Sequence, residues 1–211
     1  MIFHVLNRGV GRRTLFEKDG DYLAFEQVVG EALRMRPMRI CAYCVMPNHW
    51  HLVVWPENDG DLPAFMQQLT NKHVKRWKRH RDEIGFGHLY QGRYKSFPVQ
   101  TEEYFYRVVR YVERNPLRAN LVSRAESWRW SSLGDKGLEN ALLRLSEWPV
   151  TRPVDWLEIV NRPETEDELR ALRRCINRGR PLGDPGWVAT TAKRMGLEST
   201  LRSRGRPRKQ Q

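Results

Sequence analysis

The chain has 211 residues and carries 37 lysines and arginines against 25 acidic residues, a net charge of +12. No apolar run approaches the roughly 18 residues that span a bilayer, and the first residues lack the layout of a signal peptide. Three cysteines do not make a disulfide framework. We therefore expect a cytoplasmic protein with no membrane partner, and a chain this basic points to nucleic acid as the partner.

The excess positive charge is concentrated near the C-terminus. Residues 170–211 contain 12 basic and two acidic residues, a net charge of +10, whereas residues 1–169 have a net charge of only +2. We predict two parts: a core domain of residues 1–133 and a basic, mostly helical extension of residues 134–211 that binds DNA.

The first half of the core predicts a strand, a helix and a hairpin. Residues 3–6 are a short apolar strand, and apolar residues recur at helical spacing from Asp19 to Met35. Residues 38–45 and 49–55 are two further strands, which pair as an antiparallel hairpin around the tight turn at 46–48.

The second half of the core predicts a helix, a strand and a helix. Asp61 can cap the first helix, and residues 93–100 form the fourth strand. A helix then runs from Thr101 to about Arg114, where Asn115-Pro116 ends it. This order is the pattern of an α+β fold, the ferredoxin-like split βαβ sandwich, with an antiparallel sheet and helices on one face.

The extension predicts less structure. Residues 148–163 are a connector, a helix follows from Thr165 to Ile176, and one more short helix is expected between Trp187 and Met195. The sequence Arg-Gly-Arg-Pro occurs at 178–181 and again at 204–207. The second copy resembles an AT-hook, which lies extended in a narrow minor groove; a solvated basic tail is the alternative.

His49-Trp50-His51 is the sharpest chemical signal in the chain. Residues two apart on a strand point to the same face, so both imidazoles can bind one divalent metal ion while Trp50 faces the other way. The alternative is two solvated or hydrogen-bonded polar side chains at the start of a hairpin, which is common for so short a pattern.

The helix after the fourth strand carries a tyrosine that can act as a nucleophile. Tyr111 and Asn115 are one turn apart and therefore neighbours, beside the apolar stripe and close to Arg107 and Arg114. A tyrosine near guanidinium groups and a metal can attack phosphorus as a phenolate. A half-buried tyrosine with a solvated hydroxyl is the alternative.

Other polar residues give weaker signals. Cys41 and Cys44 resemble half a zinc site, but residues three apart on a strand point to opposite faces, so we expect buried thiols. His4 and His73 are expected to be structural or solvated. Residues 90–96 mix aromatic and basic side chains, which suits base stacking with phosphate contacts or an ordinary loop before a strand.

Taken together, these motifs resemble a known family. Residues 46–53, Met-Pro-Asn-His-Trp-His-Leu-Val, look like the HUH signature of single-tyrosine DNA transposases, and residues 111–119 are similar to the catalytic helix of the REP-associated tyrosine transposases (RAYT). The resemblance implies that Tyr111 is the nucleophile, with His49, His51 and Asn115 as ligands of Mg²⁺ or Mn²⁺. It also implies metal-dependent cleavage and strand transfer of single-stranded DNA at palindromic, REP-type hairpins through a 5′-phosphotyrosine.

A set of basic side chains is expected to contact the DNA backbone. It comprises Arg8, Arg12, Arg13, Lys72, Lys75, Arg76, Arg93, Lys95, Arg118, Arg178, Arg180, Arg204, Arg206 and Arg208.

Three hypotheses remain open from the sequence alone, and the third of them is a zinc-stabilised structural protein whose folding depends on Cys41. The first is a nucleoid-associated enzyme that cleaves single-stranded DNA hairpins, as a monomer or a homodimer. The second is a non-catalytic DNA- or RNA-binding protein that uses only the basic tail and the aromatic residues. Because histidines must be neutral to bind metal, the first function predicts that activity falls below roughly pH 6.

Overall fold

A four-stranded antiparallel sheet lies at the centre of the fold. The computed structural model describes residues 1–134 and 143–202, so the motif at 204–207, with Arg204, Arg206 and Arg208, lies outside the described residues. The strands are β1 (Ile2–Arg8), β2 (Arg39–Met46), β3 (His49–Trp55) and β4 (Lys95–Val99). Their order is β2-β3-β1-β4, and every neighbouring pair is antiparallel. This is the ferredoxin-like arrangement that the sequence predicts.

Seven α-helices lie in the described chain. They are α1 (Asp19–Met35), α2 (Asp61–His80), α3 (Glu103–Glu113), α4 (Asn115–Arg118), α5 (Trp156–Asn161), α6 (Glu166–Arg178) and α7 (Pro185–Met195). The caps of two helices differ from the prediction, because Gly60 precedes α2 where Asp61 was expected to cap it, and Glu102 precedes α3 where Thr101 was expected. Two helices, α4 and α5, were not predicted. Asn115-Pro116 starts a new helical turn because proline fits the first turn of a helix, and α5 interrupts the expected connector. Within the described ranges, no helix is both long and apolar enough to cross a membrane.

Helices α1 and α2 cover one face of the sheet, as the sandwich pattern predicts. Every second residue of β3 points to this face, so Trp50 and Leu52 pack with Phe25 of α1 and Phe65 of α2 in one hydrophobic cluster. The burial of such side chains is the main stabilising contribution of this layer.

Helices α3, α5 and α6 pack on the other face, so the sheet carries helices on both faces, whereas the sequence predicts them on one. Val53 and Phe97 from the sheet, Phe105 from α3, and Trp156 and Leu172 from the extension belong to a second hydrophobic cluster. The basic extension therefore has an apolar side that packs against the core, and this packing brings α6 close to the histidines of β3.

Candidate active site

Strand alternation brings three histidines to the face covered by α3. His49 and His51 of β3 point away from Trp50, whose ring lies in the opposite cluster, as the sequence predicts. On the neighbouring strand, Leu6 pairs with His51 and His4 pairs with Val53. His4 thus lies beside His51 on the same face of the sheet.

Each ring of the His49–His51 pair is held through Nδ1. His49 Nδ1 lies 2.6 Å from Asn48 Oδ1, and His51 Nδ1 lies 2.9 Å from His4 Nε2. An amide oxygen can only accept a hydrogen bond, so His49 carries its proton on Nδ1 and keeps a free lone pair on Nε2. Histidine ligands in metal sites are commonly oriented in this way by a partner on the other ring nitrogen.

The residues around this pair fit a divalent metal ion. Nε2 of His51 and Nδ2 of Asn115 are buried without a hydrogen-bond partner, and the rings of His49 and His51 are 5.0 Å apart. A half-turn about the Asn115 Cβ–Cγ bond presents the amide oxygen instead of the nitrogen. In residues 1–134 and 143–202, no three His, Cys, Asp or Glu side chains are grouped to hold a metal. Oxygen atoms of water or phosphate would therefore complete the ligand shell.

Burial keeps the histidine pair neutral. It lowers the pKa of His49 to about 3, with further lowering by the charges of Arg8 and Arg118, and it lowers the pKa of His51 well below its ordinary value. The expected loss of activity below roughly pH 6 assumed solvated imidazoles. Because the pair is desolvated, its own protonation sets in at lower pH.

Helix α3 places Tyr111 against the histidines. Its ring centroid lies 6.0 Å from that of His51 and 6.2 Å from that of His4, both edge to face, and the residue is 9% exposed. Arg118 lies over the same ring, with Cζ 4.1 Å from the centroid, and its Nη2 donates to the Tyr111 carbonyl at 3.3 Å. One chain therefore brings together the tyrosine, the histidines and a guanidinium group.

These side chains line a cavity of about 420 Å³. Tyr111, His49, His51 and Asn115 all contribute to its wall. Four of the predicted DNA-contacting cations also line it, namely Arg8, Arg93, Lys95 and Arg118. A cavity with several cations attracts a polyanion and can neutralise a phosphate within it.

The other predicted cations among the described residues do not line this cavity, and their contact with DNA stays a prediction. Three of them are paired with carboxylates: Lys72 and Arg76 with Glu31, and Arg13 with Glu83. The rest of the described set comprises Arg12, Lys75, Arg178 and Arg180.

Several residues at the site were not predicted. His4 was assigned a structural role, although its position in phase with the apolar residues of β1 was visible in the sequence. Arg173 and Asn177 of α6 also line the cavity. No sequence signal connects them to it, because the periodicity of α6 shows only its buried stripe.

The two cysteines of β2 form no metal site in the described part of the chain. The expectation that they point to opposite faces was wrong, because the pairing of β2 with β3 shifts between Ile40 and Ala42 and places both thiols in the same cluster. Burial raises the pKa of Cys41 to about 11 and that of Cys44 well above its ordinary value. The thiols are therefore buried and unreactive, as predicted.

Comparison with known proteins supports the family resemblance. A REP-associated tyrosine transposase of Escherichia coli (strain K12) is 23% identical over 113 residues, which are 53% of this chain and 64% of that protein. The chain thus spans less than two thirds of that relative's length.

The fold has also been observed before. The structure of a REP-associated tyrosine transposase bound to a REP hairpin matches with a TM-score of 0.53 and 20% identity, over 62% of this chain and 75% of that one. These matches confirm the resemblance to REP-associated tyrosine transposases. The model of the family described as IS200-like transposases matches residues 1–115, more than half of the sequence. The chain therefore belongs to the IS200-like transposase family.

Proposed function

We propose that this protein cleaves single-stranded DNA and transfers strands at palindromic, REP-type hairpins, through a 5′-phosphotyrosine on Tyr111. One observation carries the proposal: the Tyr111 ring lies edge to face against His51 in a cavity that five basic side chains also line. A nucleophile, a pair of metal-binding imidazoles and cations for the phosphate are what such a reaction requires.

The substrate class rests on a relative and on the lining of the cavity. The related transposase was solved bound to a REP hairpin. In this chain, Asn7 and Gln91 line the cavity beside Arg93 and Lys95. Amide side chains suit the edges of unpaired bases, and cations suit the backbone, so the lining fits a single strand that leads to the reacting phosphate.

Cleavage is an in-line displacement at phosphorus. The Tyr111 oxygen forms a bond to the phosphorus as the bond to the 3′ oxygen breaks, and the phenol proton ends on the released 3′-hydroxyl. Arg118, stacked on the Tyr111 ring, neutralises charge that develops on the phosphate. The covalent link conserves the bond energy, so a second 3′-hydroxyl can reverse the step without a nucleotide cofactor.

The proposed cofactor is Mg²⁺ or Mn²⁺, held by His49, His51 and Asn115. When bound, such an ion withdraws charge from a non-bridging oxygen of the phosphate. Two imidazoles favour Mn²⁺ over Mg²⁺ by ligand softness. Because the tyrosine and the histidines come from one chain, we propose that a monomer, associated with the nucleoid, is competent for cleavage.

The test is a covalent-adduct assay with a labelled hairpin oligonucleotide and Mn²⁺, followed by a denaturing gel. Tyr111→Phe is expected to abolish the adduct and to leave hairpin binding unchanged. Tyr104→Phe is the matched control, because Tyr104 is on the same helix with Arg107 over its ring at 5.2 Å but outside the cavity. Metal-independent binding with no adduct on any palindromic strand would instead identify a non-catalytic nucleic-acid-binding protein.

A further inference from the structure

The C-terminal extension contributes a buried carboxylate next to the catalytic cavity. We propose that Glu164 is a positioning residue that holds the Arg118 guanidinium over the Tyr111 ring, so that the extension completes the active site. This inference rests on the proposed function, because it assigns Arg118 to the reacting phosphate.

Glu164 pairs with two arginines at once. Its Oε1 lies 2.7 Å from Arg118 Nη1, and its Oε2 lies 3.1 Å from Arg114 Nε. The Glu164 side chain is only 4% exposed, so water screens both ion pairs little. The contact with Arg118 is also a charge-assisted hydrogen bond, which makes its geometry specific. A carboxylate in this position fixes one edge of the Arg118 guanidinium.

The remaining contacts of Arg118 fix its orientation toward the tyrosine. Nη2 donates to the Tyr111 carbonyl, and the guanidinium plane covers the Tyr111 ring. An arginine side chain without such contacts samples many rotamers, so two anchors at the guanidinium reduce the ordering required when substrate binds.

The charge of Arg118 acts within the cavity. Arg118 lines the cavity together with His49, His51 and Tyr111. Arg118 is therefore close enough to act on a phosphate that contacts the histidine pair and Tyr111. Glu164 contacts Nη1 of this guanidinium and is not among the residues that line the cavity.

Helix α6 supports the same conclusion. Its Leu169 and Leu172 belong to the cluster that contains α3, while Arg173 and Asn177 line the cavity. The family match covers residues 1–115, so Glu164 and α6 lie outside the matched region. Helix α6 therefore packs on the core with one side and forms a wall of the cavity with another.

The extension offers a matched control. Glu168 lies with its Oε1 3.7 Å from Nη1 of Arg110 on α3, and Arg110 does not line the cavity. Glu168→Gln therefore weakens the same interface between α3 and the extension without touching Arg118.

The first measurement is the single-turnover cleavage rate of a saturated hairpin oligonucleotide in Mn²⁺, together with the hairpin Kd. Glu164→Gln is expected to lower the rate by about 10-fold to 100-fold with the Kd nearly unchanged, because charge stabilisation is lost mainly in the transition state. Glu168→Gln is expected to leave both values near wild type. Equal rates for Glu164→Gln and wild type would overturn the proposal.

A double-mutant cycle shows whether Glu164 acts through Arg118. In an Arg118→Ala background, Glu164→Gln is expected to change the rate by less than about twofold, because the group it positions is already gone. Full additivity would contradict the proposal. Glu164→Asp keeps the charge and is expected to recover part of the cleavage rate. This variant keeps the proposal testable if Glu164→Gln fails to fold.

A readout that needs no cleavage separates this inference from the proposed function. Nitrogen-15 NMR of the Arg118 guanidinium is expected to show slow rotation about Nε–Cζ in wild type and in Glu168→Gln, and fast rotation in Glu164→Gln. Unchanged rotation in Glu164→Gln would overturn the positioning role. If wild type shows the ordered guanidinium but forms no adduct, the proposed function fails while the positioning stands.

Discussion

His51 Nδ1 lies 2.9 Å from His4 Nε2, and this contact decides which nitrogen of His51 can bind a metal ion. If His51 donates through Nδ1, its buried Nε2 has a free lone pair. If His4 donates instead, the proton of neutral His51 is on Nε2 and blocks metal binding. A metal at this site therefore requires His4 to accept, with its own proton on the buried Nδ1.

Removal of the His4 acceptor is expected to weaken metal binding. His4→Leu should lower the Mn²⁺ affinity by about 10-fold to 100-fold, the usual effect of losing a partner that orients a ligand. His4→Gln, which offers an amide oxygen, should lose less. Isothermal titration with Mn²⁺ measures both. The control is His73→Leu, because His73 is a buried histidine on the opposite face of the sheet. An unchanged Mn²⁺ affinity in His4→Leu would refute the role of His4 in orienting His51.

Asn115 is expected to lie within reach of the same ion. Because a carboxylate is a stronger ligand than an amide for Mn²⁺, Asn115→Asp should raise the Mn²⁺ affinity and Asn115→Ala should lower it. The same titration measures both variants. Equal affinities in wild type and Asn115→Ala would remove Asn115 from the ligand set.

The buried histidines make the fold sensitive to acid. Burial, with the nearby charge of Arg76, lowers the pKa of His73 to about 3. As the pH is lowered from 7.5 to 5.5, the unfolded chain therefore gains a proton at this histidine and the folded chain does not. The free energy of unfolding thus decreases as the pH decreases. His73 alone contributes a fall of about 1.4 kcal/mol over this interval, taking its unfolded pKa as about 6.5.

Urea unfolding of wild type and His73→Gln at the two pH values isolates this contribution. The wild-type free energy of unfolding should fall by about 1.4 kcal/mol more than that of the variant. Chelator in both buffers removes any metal effect. Equal falls in the two proteins would show that His73 is not held neutral by burial.

Trp156 tests whether the extension is part of the folded core. It is 2% exposed, and its Nε1 donates to Glu113 Oε2 at 2.7 Å. Trp156→Ala is expected to lower the free energy of unfolding by about 3–5 kcal/mol, because it leaves a cavity and removes the hydrogen bond to Oε2 of the buried Glu113 carboxyl group. Leu157→Ala, at a side chain 43% exposed, should stay within about 0.5 kcal/mol of wild type. A small effect for Trp156→Ala would show that α5 does not pack stably on the sheet.

Local periodicity was sufficient to predict part of the site. The shared face of His49 and His51 follows from the two-residue repeat of a strand, and the proximity of Tyr111 and Asn115 follows from the helical turn. The same reasoning failed for Cys41, because an irregularity in the pairing of β2 with β3 depends on both strands.

The remaining site residues depend on contacts between distant segments. His4 reaches His51 through the register of β1 with β3, and Glu164 reaches Arg118 across 46 positions of the chain. Neither relationship follows from a periodic pattern. The apolar stripe of α6 is visible in the sequence, but its packing beside the cavity depends on the tertiary fold.

The most direct test of the chemistry is the identity of the residue that carries the DNA. Wild-type protein is incubated with a hairpin oligonucleotide and Mn²⁺, then digested with nuclease and protease and examined by tandem mass spectrometry. We predict a nucleotide joined through its 5′-phosphate to the peptide that contains Tyr111, with fragment ions that place the linkage on that side chain. A linkage on any other residue, or only unmodified Tyr111 peptide with every palindromic strand tested, would contradict the assignment of Tyr111 as the nucleophile.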